Sequence, residues 1–200
     1  MRIISGEYKG RELKTTVGPG YRPAMAKVRA AIFSMLEARG LLWPEARILD
    51  LFAGSGSLGF EALSRGAAQV TFVDSLPKAA ALIRANAEKL GVAPARYRVL
   101  AEESGKVLSR PPLEPFDLIF IDPPYGQNLL GSSLKLILRK GWLAPGGIIN
   151  AEIESGLKYD PATEHPDLAV EADRRYGQTR VVLWKQETAR QPFIPEPSTP

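Results

Sequence analysis

Apolar residues recur along this chain in two periods, and the changes of period mark out its elements. Near the start, Arg2-Ile3-Ile4-Ser5-Gly6 and Tyr8-Lys9-Gly10-Arg11-Glu12-Leu13 alternate loosely around turn residues, which predicts a small hairpin or two short strands within residues 1–16. Gly18-Pro19-Gly20 then breaks the chain. Beyond Arg22-Pro23, the residues Val28, Ala31, Ile32, Met35 and Leu36 repeat at helical spacing, so a helix is expected that ends near Gly40. From residue 46 strands and helices alternate. Ile48 to Phe52 is an apolar strand, a Gly/Ser loop follows, and a helix runs from about Leu58 to Ser64. Val70 to Val73 is a second strand, with a helix from Pro77 to Leu90 behind it. Tyr97 to Leu100 is a third strand. Phe116 to Ile121 is a fourth, nearly all apolar, as a strand covered on both faces should be. A helix over Leu129–Lys140, a turn at Leu143–Gly147 and a fifth strand at Ile148–Ile153 come next. Leu168–Ala172 and Thr179–Lys185 read as a closing antiparallel pair around Tyr176-Gly177-Gln178.

This alternation predicts an α/β fold with a mostly parallel sheet, and ligand sites at the carboxyl ends of its strands. The final stretch, Gln191 to Pro200, holds four prolines and is expected to lack fixed structure.

Composition narrows the chemistry. At 200 residues, with 44% hydrophobic and 24% charged, the chain is ordinary globular material. No apolar run reaches the roughly 18 residues of a membrane span, and Met1–Gly6 lacks the apolar stretch of a signal peptide, so a cytoplasmic location is expected. There is no cysteine, which excludes a disulfide scaffold and a thiolate nucleophile, and the single histidine, His165, reads as a loop residue. No metal site is expected. Carboxylates, hydroxyls, backbone groups or a bound cofactor must carry any reaction. The net charge is +4, but residues 1–30 hold seven basic against two acidic residues, a local +5, while the remainder has 19 against 20. A basic segment on a neutral domain points to a polyanion partner, with Arg2, Lys9, Arg11, Arg22 and Arg29 as candidate phosphate contacts.

Three motifs stand at strand ends. Asp50-Leu51-Phe52-Ala53-Gly54-Ser55-Gly56-Ser57-Leu58-Gly59 joins the first sheet strand to a helix, where glycines admit a ligand to the backbone and the helix start offers free N–H groups. Gly54, Gly56 and Gly59 satisfy dinucleotide spacing. Asp50, however, would repel a pyrophosphate and suits a ligand bearing an ammonium group. Asp74, at the end of the second strand, can accept ribose hydroxyls, with Ser75 beside it. Asp122-Pro123-Pro124-Tyr125 ends the fourth strand. Its carboxylate, free carbonyl and aromatic ring match a planar base with an exocyclic amine: Asp122 and the Pro123 carbonyl each accept one hydrogen, and Tyr125 stacks.

Together these motifs resemble the class I S-adenosylmethionine-dependent methyltransferases, and Asp122–Tyr125 resembles the subclass that methylates amino groups. Met1–Gly6, Lys9-Gly10-Arg11, Arg22-Pro23, Val28–Phe33 and the run Leu49–Ala67 are similar to the bacterial 16S ribosomal RNA guanine-N2 methyltransferase D family, over residues 1 to about 185. The resemblance implies a Rossmann-like, mostly parallel seven-stranded sheet with helices on both faces and a small N-terminal hairpin and helix extension. It implies S-adenosylmethionine as cofactor, bound around Asp50, Phe52, Ala53, Gly54, Ser55, Gly56, Asp74 and Ser75. Catalysis would fall to Asp122, Pro123 and Tyr125. The substrate would be a guanine of 16S rRNA, on a 30S subunit or an assembly intermediate. Two departures stand out: Ala24, Met25 and Ala26 replace the family's usual polar residues, and Ala101-Glu102-Glu103 stands where relatives place Asp or Asn against the adenine, leaving Glu102 or Glu103 for that contact. The expected organisation is a basic extension over 1–40, a methyltransferase domain over 41–186 and a Pro-rich tail over 187–200. No coiled coil or apolar stripe demands an oligomer, so a monomer is expected. Methylation of DNA adenine or protein glutamine, NAD-dependent oxidation and RNA binding without turnover remain the alternatives.

Overall fold

A proline at the first turn and a left-handed glycine just past the end delimit helix α3 (Pro77–Leu90): Pro77 needs no N–H partner there, and Gly91 turns the chain at φ +74°. Similar local signals set the other elements of this computed structural model, which describes residues 1–15, 22–124, 129–158 and 168–186, and of residues 22–25 the backbone alone. The helices are α1 (Arg22–Glu37), α2 (Ser57–Ser64), α3, α4 (Ser104–Leu108) and α5 (Leu129–Lys140). The strands are β1 (Arg47–Leu51), β2 (Gln69–Val73), β3 (Tyr97–Leu100), β4 (Phe116–Ile121), β5 (Leu143–Glu154), β6 (Leu168–Tyr176) and β7 (Thr179–Gln186).

The strands form one sheet in the order β3-β2-β1-β4-β5-β7-β6, parallel from β3 to β5, with β7 antiparallel to both β5 and β6. This is the mostly parallel seven-stranded sheet expected. Two apolar clusters cover it. Ile48, Val70, Phe72, Leu118, Phe120, Ile148 and Leu183 face one way and pack with side chains of α1, α2 and α3. Leu49, Val73, Ile119, Ile121, Ile149 and Trp184 face the other way, toward α4 and α5. The strand order reverses at β1 and β4, so a crevice opens at their carboxyl ends.

Several expectations are adjusted. The N-terminal hairpin is present but short: Arg2 and Glu12 form an antiparallel bridge, flanked by backbone hydrogen bonds between Met1 and Leu13, from Ile3 to Arg11 and from Gly10 to Ile3, with turns at residues 5–10 limiting its length. The turn at Leu143–Gly147 belongs to β5, with a register shift against β4 between Phe116 and Leu118. α4 had no signal, being five residues long. The tail 187–200 and His165 lie outside the described residues. Among the described residues no helix is long and apolar enough to cross a membrane.

Residues 1–15 do not stand off the domain. Ile3, Tyr8 and Leu13 are buried in the α1–α3 cluster. A Cβ on Gly6 would lie 1.8 Å from the Ser64 carbonyl oxygen, so glycine alone lets the segment lie against the end of α2. Buried Glu61 holds it there: its two oxygens accept from the backbone N–H groups of Ile4 (2.9 Å) and Ser5 (3.0 Å) while pairing with Arg29 and Arg65. Ser64 Oγ accepts from the Tyr8 N–H at 2.9 Å. Buried Asn86 of α3 accepts from the Lys14 N–H (2.8 Å) and donates to the carbonyls of Lys14 (3.0 Å) and Ser55 (3.1 Å). Removing one partner of a buried ion pair strands the other charge. Glu61→Ala is therefore expected to lower the unfolding free energy by about 3–5 kcal/mol, read from urea denaturation.

Candidate active site

At the carboxyl ends of β1, β2, β4 and β5 lies a cleft of about 640 Å³. Phe52, Asp74, Ser75 and Leu76 line one side, Asp122, Pro123, Pro124 and Glu152 another, and Val28 and Arg29 of α1, Ser57 and Leu58 of α2 and the β6–β7 turn, Tyr176 to Thr179, complete it.

The glycine loop frames this cleft. Phe52 leaves β1 with φ +60°, a left-handed conformation that costs a side-chain-bearing residue about 1–2 kcal/mol. The strain redirects the chain at the cleft wall. Gly59 serves packing: a Cβ there would sit 2.2 Å from the Phe72 ring, so α2 could not lie so close to β2. The loop's spacing thus has a structural reason independent of any dinucleotide.

Two carboxylates are engaged in building the loop. Asp74 accepts from the Gly54 N–H with one oxygen and from the Leu76 N–H with the other, each at 2.9 Å, and still faces the cleft with lone pairs to spare. Asp50 is buried and accepts from the Gly59 N–H at 3.0 Å. It does not line the cleft, and neither do Ala53, Gly54, Ser55 and Gly56, which lie in the loop behind Phe52. The sequence reading gave Asp50 as a cofactor-binding residue suited to an ammonium group; in the structure it is buried, with the Gly59 N–H as its partner.

Asp122 and Glu152 are half-buried and lie side by side on neighbouring strands: Ile121 pairs with Ala151, and each carboxylate is the next residue. Alternation puts both on the face that carries Ile48, Asp50, Phe120 and Asn150. Among the described residues, neither carboxylate accepts a hydrogen bond. Burial pushes Asp122 up to about 6. Burial, then Asp122 and Asp50, push Glu152 up to about 8, against the pull of Arg29. Burial raises Asp50 to about 7; the Gly59 N–H opposes this, and Asp122 and Asp74 add to it.

Other sequence candidates separate. Tyr125 lies outside the described residues, as does the side chain of Arg22. Glu102 pairs with Arg110 at 2.8 Å, and Glu103 is exposed at the start of α4; neither lines the cleft. Arg2, Lys9 and Arg11 are exposed, with Arg2 beside Glu12 and Arg11 donating to the Lys89 carbonyl at 2.6 Å. Arg29 is not a surface phosphate contact. It is buried at 4% exposure, lies 3.5 Å from Glu61 and donates to the Arg2 carbonyl at 2.7 Å, because α1 turns it inward. Sequence reasoning missed Glu152, whose only signal was a charge closing an apolar strand next to the Asp122 strand.

The family model described as "Conserved hypothetical protein 95" matches residues 1–185. The Escherichia coli (strain K12) protein named Ribosomal RNA small subunit methyltransferase D is 33% identical over 94% of this chain and 90% of its own. The chain belongs to the methyltransferase D family. The Haemophilus influenzae member of that name is 36% identical over 77% of this chain and 79% of its own. A solved structure of the Escherichia coli protein yhhF superposes with a TM-score of 0.79 at 30% identity, covering 94% of this chain and 98% of that one. The methyltransferase D chain described here has the Rossmann-like class I fold.

The raised carboxyls have a consequence for stability. Each binds its proton more tightly folded than unfolded, so its contribution is fully present below pH 4 and is lost as pH rises through about 6 to 8. Unfolding free energy from urea titrations should fall by a few kcal/mol between pH 5 and pH 9, and Asp122→Asn should flatten that slope.

Proposed function

We propose that this protein transfers a methyl group from S-adenosylmethionine to the exocyclic N2 of a guanine in 16S ribosomal RNA, on the 30S subunit or an assembly intermediate. The observation that carries this reading is the charge of the cleft. Asp74, Asp122 and Glu152 line it, Asp50 lies behind it, and the only cation on its wall among the described residues is Arg29, paired with Glu61. Such a site favours a ligand carrying positive charge and disfavours a pyrophosphate, which argues against the NAD reading. The name carried by the relatives supports the RNA substrate.

The residues present fit the cofactor. Asp74 has acceptor capacity for ribose hydroxyls, Phe52 and Leu76 offer apolar cover, and the carboxylate field suits the ammonium and sulfonium groups. When bound, S-adenosylmethionine supplies a methyl group on a positively charged sulfur. Asp122 and the Pro123 carbonyl would accept the two amine hydrogens, turning the nitrogen lone pair toward the methyl and stabilising the charge that develops on nitrogen. Asp122 is also placed to receive the proton that nitrogen must shed. Tyr125 would stack on the base, a contact worth about 1–3 kcal/mol. The base must be unpaired or flipped to enter. Lys9, Arg11 and Arg2 would meet the RNA backbone, as solvent-facing charges of the N-terminal segment.

Radiolabelled transfer to 30S particles from a strain lacking the enzyme tests the reading, with nucleoside analysis of the product. N2-methylguanosine is expected; N6-methyladenosine or no incorporation would overturn it. Asp122→Ala should reduce transfer by at least about 10³-fold while calorimetry shows cofactor binding within about threefold of wild type. Asp74→Ala should instead weaken cofactor binding by about tenfold or more. Lys9→Ala with Arg11→Ala should weaken RNA binding and lower its log–log salt slope by about two.

A further inference from the structure

Of the carboxylates gathered at the cleft, Asp50 and Asp74 are bound to backbone N–H groups, whereas Asp122 and Glu152 accept no hydrogen bond among the described residues. Asp122 is accounted for by the amine; Glu152 has no role in the reaction as described. It stands one strand over from Asp122, on the same face and at the same level, where parallel neighbours are about 4.8 Å apart. Two acceptors side by side call for two adjacent donors on one ligand edge. Guanine has them: its ring N1–H neighbours the N2 amine. Adenine and 2,6-diaminopurine carry a bare lone pair at N1 instead.

We propose that Glu152 is the specificity-determining residue of this site, accepting the ring N1–H of the target guanine while Asp122 holds the N2 amine. This rests on the guanine-N2 reading above. An ionised Glu152 attracts N1–H and repels a bare N1 lone pair, so it admits guanine and rejects a purine lacking that hydrogen. Arg29 of α1 supports the ionised form from the cleft wall, while Asp122 on β4 and Asp50 on β1 oppose it. Since Glu152 is pushed up to about 8, its acceptor role is cleanest above that pH. A protonated Glu152 would instead offer a hydrogen to the bare N1 and blur the choice.

The test uses 30S particles reconstituted with rRNA carrying either guanosine or 2,6-diaminopurine riboside at the target position. Both bases offer the same N2 amine. At about pH 8.5, where the guanine ring keeps its N1–H, wild type should prefer guanosine in kcat/KM by about 30-fold or more. Glu152→Ala should reduce that preference to under about threefold. Glu152→Gln, whose amide can accept from N1–H or donate to a bare N1, should accept both bases and recover much of the lost kcat/KM. Calorimetry with S-adenosylmethionine should find both variants still binding cofactor, which reports a folded site. Equal use of the two bases by wild type, or a preference that survives Glu152→Ala, would overturn the role of Glu152 while leaving guanine methylation intact. No transfer to guanosine particles by wild type would instead overturn the underlying reading.

Discussion

Four carboxylates gather at one end of this sheet, and among the described residues Arg29 is the one cation that lines their cleft. Like charges so close cannot all ionise cheaply. Asp50 and Asp74 are relieved by hydrogen bonds from the loop they organise, which converts electrostatic cost into loop geometry. Arg29 supplies the compensating charge from α1, and it is fixed by Glu61, which also fastens the N-terminal segment. A single guanidinium therefore links the cleft to the segment that carries the local basic excess. A cationic ligand would complete the balance by relieving the carboxyls that burial raises.

The framework was legible, α4 apart, because most elements carry their own local signal. α3 and α5 span the residues expected of them, and β3 and β4 match residue for residue. The reading failed where structure is decided by distant partners. The alternation around Arg2 and Leu13 does report their pairing with each other, but not that this short hairpin is held on α2 and α3 by Glu61, Ser64 and Asn86. β6 runs on to Tyr176 because β7 pairs with it, although Asp173-Arg174-Arg175 has no apolar alternation of its own.

The site divides in the same way. Asp74 and Asp122 could be named from the sequence because each stands at the end of an apolar strand, and both line the cleft. Glu152 was not, since its meaning comes from register: only the pairing of Ile121 with Ala151 sets it beside Asp122. Arg29 was misread for the opposite reason. A charge count treats every arginine in residues 1–30 alike and cannot see that helical phase turns one of them toward Glu61. The basic excess remains real, but its exposed part is carried by fewer residues than the count suggests.

The anchoring of residues 1–15 also sets an order of events during synthesis. Their partners, Glu61, Ser64 and Asn86, lie some 56 to 72 residues further along the chain. The segment is therefore made early but can settle only after α2 and α3 exist, so its contacts close long loops and come late in folding. Until then Ile3, Tyr8 and Leu13 have no core to enter. A nascent chain of this protein therefore carries an exposed, basic and partly apolar N-terminal segment until α3 has been made.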